Sequence, residues 1–154
     1  MLCAQLKEFV ELIPKDKCMM SLDLGEKKIG IAFSDRTNLI ATPHSIYYRQ
    51  NIRKDIDFLN RLFKEGDAGS MVVGLPIELK VGDNLWHKTI LNFTNKIVKK
   101  HNMIVYLQDE SLSTMEATAA LIAAGLSYQK SKKLNDKVSA SIILQRTLDT
   151  INKL

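Results

Sequence analysis

Apolar residues along this chain fall into two kinds of pattern. Cys18 to Leu24 and Ile29 to Phe33 are short, nearly unbroken apolar runs, separated by Gly25 and the charged turn Glu26-Lys27-Lys28. Runs of this length read as buried strands. A third strand, Leu39 to Tyr48, follows the turn Asp35-Arg36-Thr37-Asn38 and carries Ile40, Ile46, Tyr47 and Tyr48. The short connections predict antiparallel pairing among the three. The period then changes. Ile52, Ile56, Leu59 and Phe63 recur at i, i+4, i+7 and i+11, which predicts a helix over Asn51 to Glu65 with Gly66 as its stop. A buried strand, Met71 to Leu75, and a loop, Pro76 to Gly82, come next. Asp83 or Asn84 caps a helix from Leu85 to Lys100, with Trp86, Ile90, Phe93 and Ile97 on one stripe.

Met103 to Leu107 predicts a further buried strand that runs into Gln108-Asp109-Glu110. Ser113-Thr114-Met115-Glu116 has capping-box spacing ahead of a helix from Ala117 to Ala124, with Gly125 after it. Residues 127–134 are polar and basic, and the last helix is predicted to begin near Asn135 or Asp136. At the other end, residues 4–12 show helical spacing in Leu6, Phe9 and Val10 and stop before Pro14. The whole is an α/β pattern: a mixed five-stranded sheet, three antiparallel strands and then parallel ones reached by right-handed crossovers, flanked by helices. Residues 1–17 form a helical leader and residues 18–154 one domain.

Composition narrows the classes. The 154 residues are 45% hydrophobic and 25% charged, ordinary for a soluble globular chain. No apolar run approaches the ~20 residues of a membrane span. The N-terminus lacks a basic segment, and Lys7, Glu8 and Glu11 interrupt it, unlike a signal peptide. Cys3 and Cys18 have no CxxC spacing; a cytoplasmic protein with reduced thiols is expected. The net charge of +5 is compatible with a nucleic-acid partner.

Candidate chemistry lies in the acids. Asp23 interrupts an apolar strand near its end, and Asp109-Glu110 close another. In α/β sheets, ligands bind outside the carboxyl ends of parallel strands. At 100° per residue, Asp136 falls on the same side of the last helix as Ala140, Ile143, Leu144, Thr147, Leu148 and Ile151. Each acid alone has an ordinary explanation: a cationic partner for Asp23, helix capping for Asp136, a solvated strand end for Asp109 and Glu110. Together, carboxylates from two strand ends and a helix start would make an oxygen-rich site suited to Mg²⁺ or Mn²⁺. His44, His87 and His101 are scattered, and no Cys/His cluster argues for zinc. A pair of such ions can activate water and stabilise the leaving oxygen of a phosphodiester. Lys27 and Lys28 follow Asp23, and Lys130, Lys132, Lys133 and Lys137 flank Asp136. These are candidate phosphate contacts, or else solvated charges.

Four segments carry a resemblance: Asp23 to Asp35 (DLGEKKIGIAFSD), Val72 to Pro76 (VVGLP), Asp109 to Ala117 (DESLSTMEA) and Asp136 to Leu144 (DKVSASIIL). In this order they resemble the YqgF family, also called RuvX, of Holliday junction resolvases. The resemblance implies a ribonuclease H-like fold and a hydrolase, a divalent-metal nuclease. It also implies work on the 5′ end of pre-16S ribosomal RNA in ribosome biogenesis, with four-way DNA junctions as the alternative substrate. Expected partners are therefore structured RNA, a DNA junction or a ribosomal precursor particle. A weakly catalytic nucleic-acid-binding module is the reading from another class. The family's acids carry over to Asp23, Glu110 and Asp136, as ligands of two Mg²⁺ or Mn²⁺ ions. Two positions depart from the family pattern: Ser111 stands where Arg usually follows the Glu, and Lys28 where Arg is common.

Overall fold

A computed structural model describes residues 1–76, 84–109, 123–125 and 127–154, the side chains of 84 and 128–136 excepted. One sheet of six strands runs in the order β1-β6-β5-β2-β3-β4. Its central strand is β2 (Cys18–Leu24), antiparallel to β3 (Lys28–Ser34) and parallel to β5 (Ala68–Leu75). Beyond β3 lies β4 (Ala41–Tyr48), antiparallel; beyond β5 lies β6 (Val105–Asp109), parallel. The mixed α/β sheet and its antiparallel-then-parallel order are those expected from the sequence.

Alternation along β2 sorts the core. Met20, Leu22 and Leu24 face α2 (Ile52–Glu65) and α3 (Asn84–His101), where they pack with Ile56, Leu59, Ile90, Phe93 and Ile97. Met19 faces the other side, with Phe9 of α1 (Leu6–Leu12) and with Ala140, Ile143, Leu144 and Leu148 of α4 (Tyr128–Asn152). The stripe predicted on the last helix is thus the buried one. Asn51 caps α2, its side chain accepting from the Lys54 amide at 2.9 Å.

Five expectations are corrected. The sheet has six strands, not five, because β1 (Leu2–Cys3) pairs with β6, parallel, through Leu2↔Val105 and Cys3↔Tyr106. The N-terminal segment is therefore built into the sheet and is more than a helical leader: Cys3 and Phe9 are fully buried, and Phe9 stacks on Tyr106 at 5.4 Å. The β6 strand sits two residues later than predicted and includes Asp109, since its pairing with β5 extends to Leu75↔Asp109. The last helix begins at Tyr128, about two turns early. Residues 128–135 carry little apolar signal, but Gln and Lys are good helix formers and no Gly or Pro intervenes. Finally, β4 starts at Ala41, because the Asp35 carboxylate takes up the amides of Leu39 and Ile40, each at 2.9 Å. The segment predicted as loop, capping box and helix across 77–83 and 110–122 lies outside the described residues.

Two outcomes follow. Phe9→Ala is expected to cost about 3–5 kcal/mol, as for a core aromatic, measured by urea unfolding; a surface-like loss would mean the N-terminal segment is a dispensable leader. The Asp35 carboxyl is held down from 3.8 to about 2, chiefly by its amide bonds at Ile40, with Thr37 and Leu39 contributing. Those bonds are present at neutral pH and are lost as pH falls through that range. The amide resonances of Leu39 and Ile40 should titrate with a midpoint near 2 in an NMR series; a midpoint at the ordinary value would remove these bonds.

Candidate active site

Asp23 lies one residue from the carboxyl end of β2, opposite Gly30 of β3 and half-buried. Strand alternation puts it on the side of Met19 and Ser21, under α4. Ser21 fixes that geometry: its buried hydroxyl donates to the Ala140 carbonyl at 2.7 Å. The C-terminal end of α4 is tied to the opposite end of the sheet, where Asn152 donates to the Asn38 carbonyl. The preceding half of α4 therefore runs toward the Asp23 end. Asp136 is one turn before Ala140 along that half. It is eight residues, ~12 Å, beyond Tyr128. The early helix start removes capping and the helix dipole as explanations for this acid, since both act within the first turn. The apolar pattern alone predicts Asp136 in that first turn.

The second strand-end pair divides. Val105 and Leu107 belong to the α2–α3 core, whereas Tyr106 packs on the α1–α4 side and Gln108 accepts from Thr147 of α4 at 2.9 Å. Asp109 shares the parity of Val105 and Leu107, so it stands on the opposite face from Asp23. Glu110 lies outside the described residues, as does Ser111. Among the described residues, no three His, Cys, Asp or Glu side chains come together as a metal cluster. Asp23 is the one member of the predicted set whose side chain is described.

Past Asp23 the chain makes a tight turn. The Gly25 amide donates to the Lys28 carbonyl at 2.8 Å, and a Cβ at Gly25 would fall 2.7 Å from that same oxygen. A side chain here would force the turn open. A cavity of about 170 Å³ opens between Asp23, Gly30, Ile46 and the Gly25–Lys28 turn. Lys27 is exposed and Lys28 half-buried on its wall; Lys137, on α4, is exposed. Lys130, Lys132 and Lys133 belong to the α4 backbone, their side chains outside the described residues.

The turn is held from behind by Arg49 and Asp55, which no sequence motif marks. Arg49 donates from its backbone to the Lys27 carbonyl and from Nη1 to the Gly25 carbonyl, both at 2.9 Å. Its Nε donates at 3.1 Å to Asp55, which is 1% exposed, and its guanidinium lies 5.1 Å above the Phe93 ring. Asp55 also accepts from Tyr47 Oη at 2.8 Å and from the Gln50 amide at 2.9 Å. A signal for Asp55 was present: it sits beside Ile56 and four residues before Leu59, an acid among apolar stripe positions. The same argument had picked out Asp136.

The family model described as RuvX, Holliday junction resolvase, matches residues 17–150. The chain belongs to this family. Relatives in it carry the name "Putative pre-16S rRNA nuclease". One from Wolbachia sp. subsp. Brugia malayi (strain TRS) is 60% identical over 145 residues, 94% of each chain. Another, from Ehrlichia ruminantium (strain Welgevonden), is 47% identical over 152 residues, 98% of this chain and 97% of the relative. Among solved structures, T. thermophilus RuvC in complex with a Holliday junction substrate matches with a TM-score of 0.55 at 9% identity. That match covers 88% of this chain and 96% of RuvC. It establishes the RuvC-like, ribonuclease H-like fold. Among the described residues no helix is long and apolar enough to cross a membrane.

Asp55→Ala would leave the Arg49 guanidinium in a mostly buried place without its partner. The expected cost is about 3–5 kcal/mol in urea unfolding; a loss below about 1 kcal/mol, the level of an exposed pair, would show that other contacts hold the turn.

Proposed function

We propose that this chain is a divalent-metal-dependent nuclease that hydrolyses phosphodiester bonds at the Asp23 edge of the sheet, in 5′-end processing of pre-16S ribosomal RNA. The observation that carries the reading is Asp23 itself: a half-buried carboxylate near the carboxyl end of the central strand, on the face covered by α4, beside a lysine-bearing turn. Family membership supplies the reaction class, and the shared name of the relatives supplies the RNA.

The ligands proposed for the metal are Asp23, Glu110 and Asp136. Asp23 fits such an ion in its chemistry: it offers hard carboxylate oxygens, and among the described residues no thiol or imidazole lines its cavity. Asp109 stands on the other face from Asp23, and Glu110 is proposed on the family resemblance. The position of Asp136 well inside α4 supports a role other than capping. Bound ions of this kind supply an activated water and charge stabilisation of the leaving oxygen. The chain's own contribution is placement. Gly25 keeps the turn low beside Asp23, Lys27 and Lys28 offer ammonium groups to phosphate oxygens, and Arg49 holds the turn in place. Lys137, with Lys130, Lys132 and Lys133, is proposed to grip the substrate from the α4 side.

The test is cleavage of end-labelled precursor ribosomal RNA and of a synthetic four-way junction, with Mn²⁺ and after chelation, by the wild type and by Asp23→Asn. The expected outcome is metal-dependent cutting of the RNA by the wild type and background cutting by the variant, with RNA binding retained in both. Preferential cutting of the junction would move the function to junction resolution. Equal cutting by both proteins would overturn the site.

A further inference from the structure

The cavity beside Asp23 does not end at the turn. It shares Glu26 and Lys27 with a second cavity of about 620 Å³, which runs past Tyr48, Arg49, Asn51 and Trp86. That one shares Ile52 with a third, of about 540 Å³, between α2 and α3. The three adjoin along a path that leaves Asp23's face, passes over the end of the sheet at the Gly25–Lys28 turn, and continues onto the opposite face. The residues lining them include seven Lys or Arg against three acids, and one of those acids, Asp55, is already engaged by Arg49. In the third cavity Arg53, Lys96 and Lys99 are exposed along the rim. Lys100 is paired with Asp57 at 2.7 Å.

Among the described residues, two apolar features of the path lie outside the packed cores. Tyr48 is 68% exposed, although its neighbour Tyr47 is bonded to Asp55 and stacked on Phe58 at 4.3 Å. Ile52, first member of the α2 stripe, is 44% exposed and forms the floor of the α2–α3 groove with Ile56. An open aromatic ring and an apolar floor between rows of cations match the needs of a nucleic-acid single strand: phosphates for the cations, base faces for the ring and the floor. A paired duplex would present phosphates alone and leave Tyr48 and Ile52 unused.

We propose that the three cavities form one track for a single strand of nucleic acid, the unpaired flank of the substrate, with Tyr48 stacking a base and Arg53, Lys96 and Lys99 holding phosphates. The track rests on the nuclease reading for its direction, away from the cut at Asp23; strand binding along it does not require cleavage. A face of this charge also suits an acidic protein segment, but such a segment would not extend the groove to the turn beside Asp23.

The experiment measures anisotropy of a labelled single-stranded RNA of about 12 nucleotides, within the span of ~4–16 nucleotides that such grooves hold, in EDTA across a salt series. Lys96→Ala/Lys99→Ala should make the slope of log K against log salt shallower by about 1.4, two phosphates at ~0.7 each. Tyr48→Ala should weaken binding about 5- to 150-fold at fixed salt with the slope unchanged. Lys7→Ala/Lys15→Ala, on and just after α1, lowers the net charge equally and should leave the slope as in wild type. All four lysines are exposed, so folding is not at stake. An unchanged slope in the Lys96/Lys99 variant overturns the track, as does an equal change in the Lys7/Lys15 variant. A fall in oligomer mass in the Lys96/Lys99 variant also overturns it, by making the groove an interface between copies. Cleavage is scored separately: wild type that cuts while the Lys96/Lys99 slope is unchanged refutes the track alone, and wild type that never cuts refutes the nuclease reading alone.

Discussion

Alternation along β2 is the constraint on which the rest depends. The strand is bonded on both sides, antiparallel to β3 and parallel to β5, and both of its faces are buried. Met20, Leu22 and Leu24 fill one core and Met19 the other. A slip by one residue would exchange the two sets. It would also send Ser21 away from the Ala140 carbonyl and turn Asp23 from the α4 side to the α2–α3 side. The carboxylate is therefore positioned by the packing of its apolar neighbours, with no need of a loop to aim it. A site built this way inherits the rigidity of the core.

The same core sets the limits of the site. Asp109 closes a strand that is parallel to β5 and ends at the same side of the sheet as Asp23, so topology alone would include it. Parity excludes it. Asp136 shows the reverse: its sequence position suggested a cap, and a helix that begins at Tyr128 withdraws that explanation. For Asp109 the strand end is outweighed by the side of the strand it occupies, and for Asp136 the expected helix start is outweighed by where the helix begins.

Much of the fold was legible in the sequence because period and burial coincide. The apolar runs 18–24 and 29–33 emerged as strands with nearly the predicted bounds, and Ile56, Leu59, Ile90, Phe93 and Ile97 are buried as their spacing required. Legibility failed where structure is made without an apolar pattern. Residues 128–135 are helical by propensity, Leu2 and Cys3 form a strand too short to show a period, and Leu39 and Ile40 are apolar yet exposed because Asp35 captures their amides. For the site, Asp23 was legible as an acid inside an apolar run. Arg49 was not: its work is done on backbone carbonyls 22 and 24 residues away, and no local pattern records that.

Arg49 also explains why one short turn can serve two purposes. The Gly25–Lys28 segment is the wall of the cavity beside Asp23 and the rim over which the neighbouring cavity begins. A turn that bears adjacent lysines repels itself and, left to solvent, would sample many shapes. Here its carbonyls at Gly25 and Lys27 are both bonded by Arg49, whose own charge is balanced by an Asp55 that is itself fully hydrogen-bonded. The cost of burying that ion pair is repaid in position more than in stability, since buried pairs of this kind stabilise little against apolar replacements. Asp55 is anchored in the first turn of α2, so the wall beside Asp23 and the α2–α3 groove are fixed to the same helix.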